Sequence, residues 1–168
     1  IMFSKYDVYT TVQSMYCYPD TDVLINKLNI HDKAELKQAE EEFTAVKQMA
    51  LLQEPIKGRF TKTHLFRIHR FLFEDVYPFA GHIRKEQISK GDTMFYPPDL
   101  IDRELERVFQ NIHSKKLLAE QDKEKQIQNL SQTMAELNII HPFREGNGRS
   151  IRELIRCMAL EYCLHINW

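Results

Sequence analysis

His141-Pro142-Phe143-Arg144-Glu145-Gly146-Asn147-Gly148-Arg149-Ser150-Ile151-Arg152 gathers an imidazole, a carboxylate, an amide between two glycines and three guanidinium groups. The stretch stands where one apolar-periodic segment ends and another begins. Glycine permits backbone angles that other residues resist, so successive N–H groups can converge on an anion, and a helix that follows adds the positive end of its dipole. Residues 146–149 therefore read as a phosphate cradle. His141 titrates near neutrality and can serve as a general base. Glu145 is a hard oxygen ligand of the kind that reaches a polyphosphate through Mg2+. Arg149 and Arg152 lie three apart and share a helical face, where forked donors suit phosphate oxygens. Phe143, between polar neighbours, is an apolar peg for the loop, and Pro142 biases His141 towards an extended backbone. Alone, Gly-Asn-Gly is an ordinary turn and first-turn arginines are surface charge; their conjunction in this order carries the functional reading.

Working outward, Ile127, Leu130, Met134, Leu137 and Ile140 form a stripe at three- and four-residue steps that runs into His141, so a helix positions the base. Ile151, Leu154, Ile155, Met158 and Ala159 mark a second helix, expected to be the most buried. A long helix is expected over about 33–54, opened by Asp32 with Glu35 three residues on and closed by Pro55. Its Glu40-Glu41-Glu42 run reads as a solvated face. Leu65, Ile68, Leu72 and Phe73 predict a helix over 64–75 capped by Thr63, and Ile101, Leu105, Val108 and Ile112 another after Pro97-Pro98 with Asp99 as cap. A short helix is expected over Val23–Leu28, and a polar connector over 113–125. Arg84–Ile88 and Thr93–Tyr96 flank Ser89-Lys90-Gly91-Asp92 and predict one hairpin on a domain that is otherwise helical. Such a hairpin must lean on the helices or await a partner. His64 and His69 are five apart, poorly spaced for a metal on one helical face, so zinc is not expected.

The opening stretch resembles the signature of Fic domains, His-Pro-Phe-x-(Asp/Glu)-Gly-Asn-Gly-Arg-x-x-Arg, at every specified position. Tyr18-Pro19 with Thr21-Asp22-Val23-Leu24 and Asn26-Lys27, then Phe71-Leu72-Phe73-Glu74-Asp75-Val76-Tyr77-Pro78-Phe79-Ala80-Gly81, and Ile88-Ser89-Lys90-Gly91 are similar to further landmarks of that family. The resemblance implies an all-α, Fic-type helical bundle with one short β-hairpin flap, and a protein adenylyltransferase that moves AMP from ATP to a Tyr, Thr or Ser hydroxyl of a target protein. It implies His141 as the base, Gly146, Asn147, Gly148, Arg149 and Arg152 on the phosphates, Glu145 holding Mg2+, and Ile88, Ser89, Lys90 and Gly91 as the edge on which the target docks. Transfer of UMP, phosphocholine or phosphate, removal of AMP, and a non-enzymatic nucleotide-binding module are the alternatives. Relatives are often silenced by Ser/Thr-x-x-x-Glu-Gly/Asn, whose glutamate pairs with the second arginine, here Arg152. No glutamate in this chain has Ser or Thr four residues before it. An inhibitor is therefore expected on a separate antitoxin protein or on an extension beyond Trp168.

The 168 residues suit one domain, with residues 1–22 as an irregular arm packed on a Fic domain at 23–168. Tyr6, Tyr9, Tyr16 and Tyr18 in the arm read as packing residues. A net charge of −1 implies neither nucleic acid nor an anionic membrane as partner. Cys17, Cys157 and Cys163 form no C-x-x-C pair and suit reduced thiols. With no spanning apolar run and no signal-peptide pattern, a cytoplasmic protein is expected, and Met2 behind Ile1 is its expected natural start.

Overall fold

The computed structural model describes residues 13–168, so the expectations for Tyr6 and Tyr9 lie outside the described residues. In order along the chain come α1 (Lys33–Gln53), α2 (Lys62–Phe73), β1 (Ser89–Lys90), β2 (Thr93–Met94), α3 (Pro98–Ser114), a 3-10 turn at Leu117–Ala119, α4 (Lys123–Ile140) and α5 (Asn147–Glu161). The expected mainly helical architecture with one hairpin is what the chain adopts. α5 is its axis: α2 and α4 pack on it, and Ile151, Leu154, Met158 and Ala159 are fully enclosed. Burying each of the larger of these side chains is worth about 1.5–3 kcal/mol.

The helix starts follow from side-chain chemistry. Asp32 accepts from the Glu35 N–H and Asp122 from the Lys125 N–H, each satisfying a donor that the first turn leaves without a partner. α2 is capped by Thr61, which accepts from the His64 N–H, and not by Thr63. α3 opens on Pro98, whose fixed φ and missing N–H suit a first turn, and Asp99 sits inside that turn without capping it. Part of the connector over 113–125 is ordered: α3 runs to Ser114, and Leu117 and Leu118 of the 3-10 turn pack on the core.

Two other expectations are corrected. Val23–Leu28 is not helical, because its backbone pairs elsewhere: the Tyr18 N–H donates to Val23 O (2.9 Å), the Ile25 N–H to Tyr16 O (2.8 Å) and the Lys27 N–H to Val76 O (2.8 Å). The buried Asn26 amide then ties Leu24 O and Ile30 O to the Leu28 and Ile30 N–H groups. The hairpin turn is tighter than expected. Lys90 pairs with Thr93, so only Gly91-Asp92 turn the chain, with Gly91 supplying the positive φ of 58°. Arg84–Gln87, expected as strand, instead feeds Arg84 into the interior.

One apolar cluster extends from Cys17 to Tyr162, and Trp168, 59% exposed, lies outside it. Among the described residues no helix is long and apolar enough to cross a membrane.

Candidate active site

A six-residue loop joins the end of α4 to the start of α5, and this junction assembles the site. His141 ends α4 in the left-handed region (φ 51°, ψ 64°), not the extended backbone expected before Pro142. The helix end prevails because this turn lets the His141 N–H close onto Leu137 O at 3.0 Å. The imidazole is fixed on two sides. Its Nδ1–H donates to Asn138 O at 3.0 Å, and its face stacks on Phe95 from the foot of the hairpin at 3.7 Å between centroids and 8° between planes. That tautomer leaves Nε2 as the lone-pair nitrogen. Burial, with the charges of Arg84 and Lys90 nearby, holds the imidazole below its ordinary pKa, so it is neutral and basic at pH 7.

Phe143 is wholly buried and stacks on His69 at 3.7 Å. Asn147 clamps the same residue, its Oδ1 accepting from the Phe143 N–H and its Nδ2 donating to Phe143 O, both at 2.8 Å. The side-chain amide thus braces the loop, which leaves the main-chain N–H as the group of Asn147 that can meet an anion. Gly146 stands at φ 80° just before α5, and a Cβ there would lie 2.2 Å from the Phe73 ring. From this start the N–H groups of residues 147–149 have no intrahelical acceptor. Gly148 differs: a Cβ would meet only the tip of Arg152, at 3.4 Å. Nothing inside the fold requires glycine at that position, whereas an anion approaching the backbone would.

Arg149 is half-buried and held by α1. Its guanidinium donates to the Glu40 carboxylate and to Thr44 Oγ1 (3.0 Å) and lies 4.7 Å over the Phe73 ring. Glu40 is buried and also accepts from the Tyr77 hydroxyl, whose pKa rises through burial and that contact. The reading of Glu40 as solvated is therefore wrong: it shares the buried face of α1 with Leu36, Thr44 and Leu51. Arg152, by contrast, has no hydrogen-bond or ion-pair partner among the described residues. Both arginines line a cleft of about 1020 Å³ together with Glu40, Thr44, Tyr77 and Glu145, and a second of about 530 Å³ bordered by Trp168. The Glu145 side chain is 45% exposed at the edge of the first, with Oε1 accepting from the Gly146 N–H at 2.9 Å.

Ser89, Lys90 and Gly91 form the hairpin tip, Ile88 O accepts from the Phe95 N–H, and both residues of β2 are exposed. Two residues with no assigned role prove central. His69, fully enclosed, accepts from the Gly81 N–H at Nδ1 (2.8 Å) and donates from Nε2 to Glu145 O (2.9 Å). Arg84, also enclosed, donates from Nε to His141 O at 2.8 Å. His69 was legible as a member of the Leu65, Ile68, Leu72, Phe73 stripe; Arg84 left no local signal. His64, the other histidine considered for zinc, donates to Ile56 O (2.7 Å), and among the described residues no cluster of three or more His, Cys, Asp or Glu is placed to hold a metal.

The Fic/DOC family pattern matches residues 59–159. The chain is 37% identical to the protein adenylyltransferase VbhT of Bartonella schoenbuchensis over 91% of its own length, and spans 32% of that relative. It is 38% identical to the probable protein adenylyltransferase y4lH of Sinorhizobium fredii, covering 84% of this chain and 73% of the relative. The solved N-terminal Fic domain of a putative cell filamentation protein (VirB-translocated Bep effector protein) from Bartonella quintana, with bound ADP, superposes with a TM-score of 0.78 at 26% identity, over 86% of this chain and 75% of that one. With the signature loop, the helix pair that frames it and the hairpin all in place, this chain belongs to the Fic/DOC family.

Proposed function

We propose that the chain transfers AMP from ATP to a hydroxyl of a target protein, with His141 as the base. The observation that carries this is the fixed imidazole, whose Nδ1–H is committed to Asn138 O so that Nε2 is the basic atom. In this reading the target O–H gives its proton to His141 Nε2 as its oxygen attacks the α-phosphorus. The bond from the α-phosphorus to the bridging oxygen breaks, and pyrophosphate leaves. The N–H groups of residues 147–149, the start of α5 and the guanidiniums of Arg149 and Arg152 receive the phosphates, since such transfer depends on positioning and charge neutralisation. Relatives named protein adenylyltransferases and a Fic domain with bound ADP support an adenine nucleotide as co-substrate.

Glu145 is the residue that would hold Mg2+. A single partly exposed carboxylate beside a phosphate site suits an ion that keeps several waters and takes its other ligands from the substrate. When bound, that ion would supply positive charge that offsets the charge of the phosphates. The exposed hairpin around Ile88–Gly91 would pair with an extended stretch of target, a form of strand addition. Arg152, partnerless among the described residues, is where an inhibitory glutamate from a separate antitoxin would bind. Three free thiols support a reducing, cytoplasmic compartment, that of the producing cell or of a host.

Incubation with Mg2+ and ATP labelled at either the α- or the γ-phosphate, in cell extract, tests the reading. Protein should acquire α-label only, and His141→Ala should abolish it while ATP still binds. Labelling from the γ-position, or undiminished labelling by His141→Ala, would falsify it.

A further inference from the structure

We infer that Arg84 is a positioning residue: its guanidinium locks the left-handed turn at His141 to both feet of the hairpin, so that base and flap move as one body. The inference deepens the transferase reading and rests on it for its catalytic consequence.

Arg84 is 1% exposed, yet its four acceptors are all main-chain carbonyls. Nε donates to His141 O (2.8 Å), Nη1 to Glu86 O (2.8 Å), and Nη2 to Tyr96 O and to Ile140 O (3.3 Å). Its own N–H donates to Pro142 O at 2.9 Å. Glu86 and Tyr96 are the roots of the two hairpin arms, and Ile140, His141 and Pro142 are the end of α4. One planar fork therefore joins the carbonyl of the base's own residue to both sides of the flap. Lysine keeps the charge, but it is a single point on a flexible stem and cannot span four acceptors. The Tyr96 N–H to Ile139 O bond (3.4 Å) and the Phe95–His141 stack run parallel to this link.

An enclosed guanidinium without a directly bound carboxylate costs desolvation, and burial lowers the Arg84 pKa to about 10. A brace serving stability alone could be neutral; a cation here also bears on the imidazole. The charged groups facing His141 are Arg84 from the segment before the hairpin and Lys90 from β1. From α4 the Asn138 carbonyl accepts from the imidazole. Behind Arg84 lie Tyr16 and the Arg144–Glu86 ion pair (2.9 Å).

The test compares wild type with Arg84→Lys and Arg84→Met on three readouts: NMR titration of the His141 imidazole, amide hydrogen exchange, and α-labelled transfer. Arg84→Met should raise the His141 midpoint towards its ordinary value, and Arg84→Lys should leave it closer to wild type. In both variants exchange at His141 and Tyr96 should quicken together, by about tenfold or more, while α2 and α5 stay protected, and transfer should fall on the order of 10- to 100-fold with ATP affinity unchanged. The inference is overturned if exchange quickens on one side of the link only or on neither, or if Arg84→Met lowers the melting temperature without moving the His141 titration. Should Arg84→Met not fold, Arg84→Lys decides by exchange and transfer. Wild type that acquires no label sinks the transferase reading, and the exchange results then decide the mechanical link by themselves.

Discussion

Gly146 and Gly148 are two residues apart with opposite demands. At Gly146 the backbone is left-handed and the Phe73 ring fills the place of a side chain, so Gly146→Ala should destabilise the fold by about 1–3 kcal/mol. At Gly148 the backbone is helical and the space open, so Gly148→Ala should keep or raise the melting temperature, helix propensity favouring alanine by up to about 1 kcal/mol. On the proposed function the same methyl would stand in the path of the phosphate and should weaken ATP binding about tenfold. Thermal melting and calorimetric titration of both variants check the pair, and a Gly148→Ala protein binding ATP normally would count against the cradle. Most of this stretch was legible because its parts are contiguous. The clamp of Asn147 on Phe143 was not legible, because an amide among glycines offers no sign of which carbonyl it will bind; only the turn that brings Phe143 within 2.8 Å decides it.

Among the elements, α1 makes the contribution that sequence order hides most completely. Its buried face carries Glu40 to Arg149, 109 residues later, and the pair is closed by Tyr77 and Thr44. A run of three glutamates looks like a wet surface, yet Glu40 falls four residues after Leu36 and four before Thr44, the spacing of an inward stripe. That spacing was the available signal. Removing one partner of an enclosed ion pair leaves the other charge uncompensated. Glu40→Ala should therefore cost about 2–4 kcal/mol of stability and free Arg149, lowering ATP affinity, and a double-mutant cycle with Arg149→Ala should give a coupling of at least about 1 kcal/mol. Additive effects in that cycle would mean that α1 does not hold the arginine. The helices themselves were readable from their period, whereas of the expected caps Asp32 holds and Thr63 and Asp99 give way to Thr61 and to the proline start of α3. The failures, at Val23–Leu28 and in the hairpin register, came where long-range main-chain pairing overrode local pattern.

At the scale of the whole molecule, the same interior that fixes the site makes it sensitive to acid. Burial pushes His69 down to about 3, against an ordinary value of 6.5, so the unfolded chain binds the proton that the folded one refuses. Its contribution is complete above pH 6.5 and is lost progressively as pH falls from there towards 3, with His64, also lowered by burial, acting in the same direction. Stability measured by urea unfolding should drop over that range by several kcal/mol. His69→Phe, which keeps the stack on Phe143 but cannot take up a proton, should show a lower plateau and a shallower slope; an unchanged slope would clear His69 of this role. Trp168 carries a different consequence. As the sole indole of the chain, 59% exposed at the rim of the cavity that Arg149 and Arg152 share, it gives the molecule a single-site optical gauge. Its emission should report the arrival of a triphosphate at Arg152, fall silent in Arg152→Ala, and scarcely register unfolding, since water already surrounds it.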